Sequence, residues 1–345
     1  MKMRYQLLGP SGLRVSELCL GTMTFGEAWG WGATETESKK QFDLFVEAGG
    51  NFIDTSVNYT DGESETLLGA LLASDRNRFV VATKYSLTQP DSLDPNSGGN
   101  SLKSMRRAVE TSLKRLSTDY IDLLYLHMWD YLTPVEEVMA GLNDLVRSGK
   151  VLYLGFSDSP DWIVAEACTL AELRGWARPV ALQIPYSIAD RAPERSLLPM
   201  AKHWNLATLA WGVLEAGLLT GKYASQGSEP TRMQRSEVSF SPRLQAVLAV
   251  METIAKETGR SMAQIAINWV RQQSGQGQLI PIIAARNSRQ FADNLASFEW
   301  QLTLEQLRRL DEASQIELGF PHNFLEGNRY IFGATFDLID RRRAS

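Results

Sequence analysis

The 345-residue chain predicts a (β/α)8 TIM barrel, and three observations carry that reading. Eight short apolar runs alternate with amphipathic stretches from end to end. Each run is rich in Val, Ile and Leu without polar alternation, as strands buried on both faces should be. The alternation alone also fits an open doubly wound sheet, but the count of eight and the total length favour the closed barrel.

Taken in order, "RYQLLGPSGLRVSEL" reads as a hairpin of two half-polar runs around Pro10-Ser11-Gly12, placed to cap one barrel end. The strands then follow as "ELCLGTM", "NFIDTS", "FVVATK", "IDLLYLH", "VLYLGFS", "VALQIPY", "ATLAWGV" and "LIPIIAA". Helical patterns such as "SKKQFDLFVEAG", "SMRRAVETSLKRL", "VEEVMAGLNDLVRSG" and "MAQIAINWVRQQ" lie between them. Gly49, Gly149 and Gly175 fall where helix C-terminal caps belong. Two connections are long and polar: "SLTQPDSLDPNSGGNS" after strand three and "YASQGSEPTRMQRSEVSFSP" after strand seven. Both lie on the strand-to-helix side, where such barrels carry their sites. No repeat or linker divides the chain, so one domain over residues 1–345 is expected.

A hydrophobic content of 44% supports a large core, and the net charge of −5 weighs against nucleic acid or anionic membrane as partners. The closing "RRRAS" reads as a solvated tail. Cys19 and Cys168 sit in apolar stretches with no metal-ligand spacing around them, which fits a reducing compartment and no metal site. The start "MKMRYQLLGP" has no apolar leader core, and no run reaches membrane-spanning length, so a cytoplasmic location is expected.

Polar residues at the strand ends carry the functional signal. Asp54 closes the second strand, Lys84 the third, and His127 follows the fourth; Ser157-Asp158 end the fifth, and Gln183 lies on the sixth. In a barrel these ends converge on one mouth. Singly, each has a bland meaning: a turn or helix cap for Asp54, a structural imidazole for His127, an ion pair beneath the mouth for Lys84 with Asp54. Tyr59 tips the balance. A phenol titrates near ~10, and a cation beside it stabilises phenolate and lowers that value. Lys84 can supply the cation, Asp54 can fix it, and neutral His127 can orient a substrate oxygen. Together they make a proton donor for an oxygen that becomes negative, as carbonyl reduction requires.

The chain resembles the aldo-keto reductase superfamily along essentially its whole length. The motifs are "LGTMTFG", "FIDTSVNYTDGESETLLGALL", "VVATK", "SLKRLSTDYIDLLYLH", "VRSGKVLYLGFSD", "LQIPYS", "AGLLTGKY" and "IPIIAARNSRQFADNL". The resemblance implies a catalytic tetrad of Asp54, Tyr59, Lys84 and His127, with the tyrosine as general acid. It also implies an extended nicotinamide dinucleotide across the mouth, with Asp54 bordering it. Ser157, Asp158 and Gln183 would hold the carboxamide, and Trp211 would stack on the nicotinamide. Backbone at Gly21, Thr22 and Met23 would line the ring. The pyrophosphate would run past Gly212, Val213 and Leu214, then Gly217, Leu218, Gly221 and Lys222. Arg286, Gln290 and Asn294 would contact the adenosine end.

The sequence offers no competing nucleotide motif: "GWG" and "GQG" lack the third glycine of a dinucleotide fingerprint, and "GLLTGKY" lacks the Walker spacing. A helix beginning at "NSRQFADNL", with Arg286 beside it, suits a 2′-phosphate, so NADP(H) is preferred over NAD(H). Trp211 also fits an ordinary rim aromatic, and Arg286 a solvated charge. Arg232 and Arg235 fit either closure over the pyrophosphate or a solvated loop. Asp158 departs from the family's usual asparagine and Ala284 from a common glycine, which bears on cofactor affinity and preference. Trp29, Trp31, Tyr85 and Trp129 fall near the mouth; they fit an aromatic-walled pocket for carbonyl compounds or sugars, and equally simple loop packing. The expected function is NADPH-dependent reduction of an aldehyde, ketone or keto-sugar. The alternative is a cofactor-holding, redox-sensing subunit without significant turnover. Nothing in the sequence addresses oligomeric state.

Overall fold

The computed structural model describes residues 3–221, 241–325 and 330–339. By its internal contacts the chain divides into two units, residues 1–315 and 316–345. In the second unit the described elements are one short helix, His322–Leu325, and a 3-10 turn over Gly333–Leu338.

The first unit is a closed barrel of eight parallel strands: β3 (Cys19–Gly21), β4 (Phe52–Asp54), β5 (Val80–Tyr85), β6 (Ile121–Leu126), β7 (Val151–Ser157), β8 (Pro179–Pro185), β9 (Ala207–Trp211) and β10 (Leu279–Ile283). Each pairs with its sequence neighbours, and β10 closes the ring against β3. The predicted barrel and its eight strands are therefore present. Outer helices cross between strands, from α1 (Glu35–Glu47) and α2 (Glu63–Leu72) through α3 (Leu102–Arg115), α4 (Val135–Arg147) and α5 (Asp161–Arg174) to α6 (Leu197–His203). Two helices, α7 (Pro242–Thr258) and α8 (Met262–Arg271), precede β10, and α9 (Ser288–Leu295) and α10 (Leu304–Ser314) follow it.

Side-chain parity divides the core. On β5, Val80 and Ala82 face the barrel interior, while Val81 and Tyr85 join the apolar layer under the helices. The three predicted cap glycines all take left-handed φ: Gly49 at 93°, Gly149 at 74° and Gly175 at 65°.

The predicted hairpin is also present, as antiparallel β1 (Tyr5–Leu7) and β2 (Arg14–Ser16). Leu8 and Val15, both fully buried, join the interior cluster with Phe52, Val80 and Ala207, which open their strands. The hairpin thus plugs the N-terminal end of the barrel and leaves the other end open for chemistry. Its left-handed residue is Gly9 (φ 53°), not Gly12; a Cβ there would lie 2.2 Å from the Val180 carbonyl oxygen. Among the described residues, no helix is long and apolar enough to cross a membrane.

Candidate active site

Strand register brings the polar residues together. Gly21 pairs with Asp54, Lys84 with Tyr125 and Ser157 with Gln183, so the C-terminal strand ends share one rim. Lys84 points inward from β5 and its side chain is wholly buried. Its ammonium donates to Asp54 Oδ2 at 2.7 Å, the Thr55 carbonyl at 2.8 Å and the Tyr59 hydroxyl oxygen at 2.9 Å. All three of its protons are used, which makes this burial tolerable. Asp54 Oδ1 accepts from Gln183 Nε2 at 2.8 Å. Because the Tyr59 oxygen accepts from Lys84, its own proton is left to point elsewhere.

The turn carrying Tyr59 is strained. Thr60, Asp61 and Gly62 take φ of 44°, 56° and 96° in succession, and a β-branched residue rarely adopts the left-handed region. Surrounding bonds hold the turn: Thr60 Oγ1 donates to the Phe25 carbonyl, and Arg115 Nη1 donates to the Val57 carbonyl, both at 2.6 Å. His127 lies across from the phenol, with ring centroids 5.8 Å apart. Its Nδ1 is 3.1 Å from Ser56 Oγ, which leaves Nε2 as the nitrogen for an oxygen in the mouth.

Electrostatics correct one expectation. Burial raises the Tyr59 pKa above that of an ordinary phenol; the Lys84 charge opposes this and Asp54 adds to it. The phenol loses most of its water while a single ammonium offsets only part of that loss, so the net shift is upward. Burial alone would discourage the Lys84 charge, but Asp54 and Tyr59 outweigh it and hold the ammonium above the usual lysine range. Burial, then the Lys84 charge, keeps His127 well below the usual imidazole value and hence neutral. At neutral pH the site therefore holds a protonated phenol, an ammonium and a neutral imidazole.

Beside the tetrad runs a groove of about 590 Å³. Of the predicted cofactor residues, Gly212, Val213, Leu214, Gly217, Arg286, Gln290 and Asn294 line it, and so does Ala284. Leu218 and Gly221 do not, and Lys222, Arg232 and Arg235 lie outside the described residues. Gly21 and Thr22 are buried, with Thr22 bonded to the Asp54 carbonyl through N and Oγ1, and Met23 is half-buried. Trp211 is 41% exposed at the end of β9, and its Nε1 donates to Asp158 Oδ1 at 3.1 Å. Burial raises the Asp158 pKa, while the Trp211 bond and Lys84 pull it back.

The chemistry of this rim fits a nicotinamide. Ser157 Oγ, buried at the end of β7, makes no hydrogen bond of good geometry within the protein, although it lies near enough to Asp158 to help pull that carboxyl's pKa down; a carboxamide would give it a full partner. A Cβ on Gly212 would meet nothing closer than 4.0 Å, so the groove stays open along its backbone.

The α9 terminus differs from expectation. Ser288 N–H is taken by Glu37 Oε2 at 2.7 Å and Gln290 N–H by Asn287 Oδ1 at 3.0 Å. These two amides are already engaged, and the charged side chains in the groove wall there are Arg286, Arg289 and Asp293.

One predicted pocket aromatic, Tyr85, points away from the mouth. Tyr85 is fully buried beneath the helices, because parity that sends Lys84 inward sends its neighbour outward. Trp129, two residues beyond His127, is buried in the apolar cluster at 9% exposure. Trp29 and Trp31 do stand at the mouth, Trp29 edge-on to Tyr59 with centroids 6.4 Å apart, and Trp31 in the groove wall. Sequence reasoning missed Ser56, Asp61, Thr24 and Asp293; Asn287, as a helix cap three residues before Gln290, carried a readable signal.

A barrel whose open end holds a buried Lys–Asp pair against a phenol defines an enzyme of the (β/α)8 class whose site can hand a proton to a substrate oxygen. Comparison with known proteins agrees: the profile of the aldo/keto reductase family matches residues 17–315, and the chain belongs to that family. It is 37% identical to norsolorinic acid reductase B of Dothistroma septosporum over 95% of this chain and 86% of that protein. It is 38% identical to norsolorinic acid reductase A of Aspergillus parasiticus, over 93% and 84% respectively. The aryl-alcohol dehydrogenase [NADP(+)] of Phanerodontia chrysosporium is 36% identical, over 95% and 90%.

Proposed function

We propose that this oxidoreductase interconverts an aryl carbonyl compound and its alcohol with NADP(H), using Tyr59 as the general acid. The observation that carries the reading is the 2.9 Å bond from a fully buried Lys84 ammonium to the Tyr59 oxygen, at the mouth beside His127. Bound in the groove, the dinucleotide supplies or takes the hydride.

The remaining chemistry belongs to the chain. Tyr59 donates its proton to the substrate oxygen as negative charge develops there, and the phenolate left behind is held by Lys84. Asp54 keeps that ammonium in place, and His127 orients the substrate oxygen through Nε2. Ser157, Asp158 and Gln183 would hold the carboxamide, and Trp211 would cover the ring. Gly212 to Leu214 and Gly217, which line the groove, would pass the pyrophosphate, while Gln290 and Asn294 would meet the adenosine end. The NADP preference rests on the guanidinium groups of Arg286 and Arg289 in the groove wall. The aryl preference is supported by the Trp29–Trp31 pair and by the activities in the relatives' names.

The test is Tyr59→Phe. Turnover on the best aryl aldehyde should fall by about 10²–10⁴-fold, while NADPH still quenches tryptophan fluorescence with unchanged affinity. Near-normal kcat in that variant would remove Tyr59 from the role.

A further inference from the structure

Three loops meet above Tyr59. The loop between β3 and α1 carries Trp29 and Trp31, the turn after β4 carries Asp61, and the long connection after β5 carries Gln89. Asp61 Oδ1 accepts from Trp29 Nε1 at 2.9 Å and from Gln89 Nε2 at 2.8 Å. The carboxylate reaches both from a left-handed backbone (φ 56°) in the strained turn that also carries the phenol.

The indoles are set in order. Trp29 stands at 76° to the Tyr59 ring. Trp31 lies 5.6 Å from Trp29, centroid to centroid, and forms part of the groove wall. The base of their loop is pinned separately: Glu63 Oε2 accepts the N–H groups of Glu27 and Ala28 at 2.7 and 3.0 Å. A Cβ on Gly32 would lie 1.7 Å from the Gly26 carbonyl oxygen, so the loop doubles back tightly on itself. The Trp29 indole itself packs against Trp31 and Tyr59 and is bonded through Nε1 to Asp61.

We propose that Asp61 is a specificity-determining positioning residue. Its carboxylate latches Trp29 against the Tyr59 turn and ties both to the Gln89 loop. The result is one rigid aromatic wall from the groove to the phenol, built for flat aryl carbonyl substrates. The proposal rests on the function proposed above and adds the residue that selects the substrate shape. A planar ring gains stacking only from a wall held at a fixed angle. A flexible aliphatic chain gains little from that angle, so it does not depend on the latch.

The experiment compares 2-naphthaldehyde with octanal under saturating dinucleotide, in the unaltered protein, Asp61→Ala and Asp61→Asn. Asp61→Ala should lose about tenfold in kcat/KM for 2-naphthaldehyde, mainly through KM, and stay within about twofold for octanal. Asp61→Asn should recover most of the loss, because its amide oxygen still accepts from both partners. An equal loss on both substrates, or none on 2-naphthaldehyde, overturns the latch. If the unaltered protein turns over neither aldehyde, the functional reading fails, and calorimetry with 2-naphthalenemethanol decides the latch alone. About tenfold weaker binding in Asp61→Ala then supports it, and unchanged binding overturns it.

Discussion

Replacing Lys84 with Met keeps the buried stem and deletes only the ammonium. The structure sets what is lost. Asp54 Oδ2, the Thr55 carbonyl and the Tyr59 oxygen each lose a donor at 2.7 to 2.9 Å, at a position with no solvent to replace it. Asp54 keeps the bond from Gln183 Nε2 but no longer faces a cation. A buried charge left without its partner costs about 3–5 kcal/mol. Any phenolate at Tyr59 also loses its counter-charge, so turnover should drop by about 10²–10⁴-fold. Urea unfolding followed by circular dichroism reads the first quantity, and steady-state kinetics reads the second. The double variant Asp54→Asn with Lys84→Met removes both charges, so it should unfold at higher urea than Lys84→Met alone while remaining as inactive. The reasoning is refuted if Lys84→Met is as stable as the unaltered protein, or if the double variant is the less stable of the two.

Two further predictions concern the neighbourhood of the tetrad. Asp158 has a folded-state pKa raised by burial, so its ionisation opposes folding: the stability it contributes is present at low pH and lost as pH rises through the folded value. Asp158→Asn should therefore be more stable than the unaltered protein at about pH 7, with the gap closing toward about pH 4. It should also tighten NADP+ binding in a fluorescence titration, since an amide both donates to and accepts from a carboxamide. Gly62 sits at φ 96°, and a Cβ there would fall 2.2 Å from Arg115 Cζ. Gly62→Ala should cost about 1–3 kcal/mol in urea unfolding, and by loosening the Tyr59 turn it should lower kcat more than it weakens dinucleotide binding.

Much of this protein was legible in its residues. Buried parallel strands announce themselves as short unbroken apolar runs, because both faces of each are covered. That local rule was enough to set eight strands in order and to put Asp54, Lys84 and His127 at their ends. Parity along β5 could also have turned Tyr85 away from the mouth, since Lys84 and its neighbour cannot both face inward.

Other features depend on residues far apart in the chain, and only the tertiary structure decided them. Glu37 accepts the Ser288 N–H at the start of α9 from 251 positions away. Asp61 gathers indole and amide donors 32 and 28 positions away. The sign of the Tyr59 shift turned on how completely water is shut out, which composition and spacing do not encode. Periodicity is written along the backbone and survives without the fold, whereas desolvation and long-range contacts exist only once the barrel has closed.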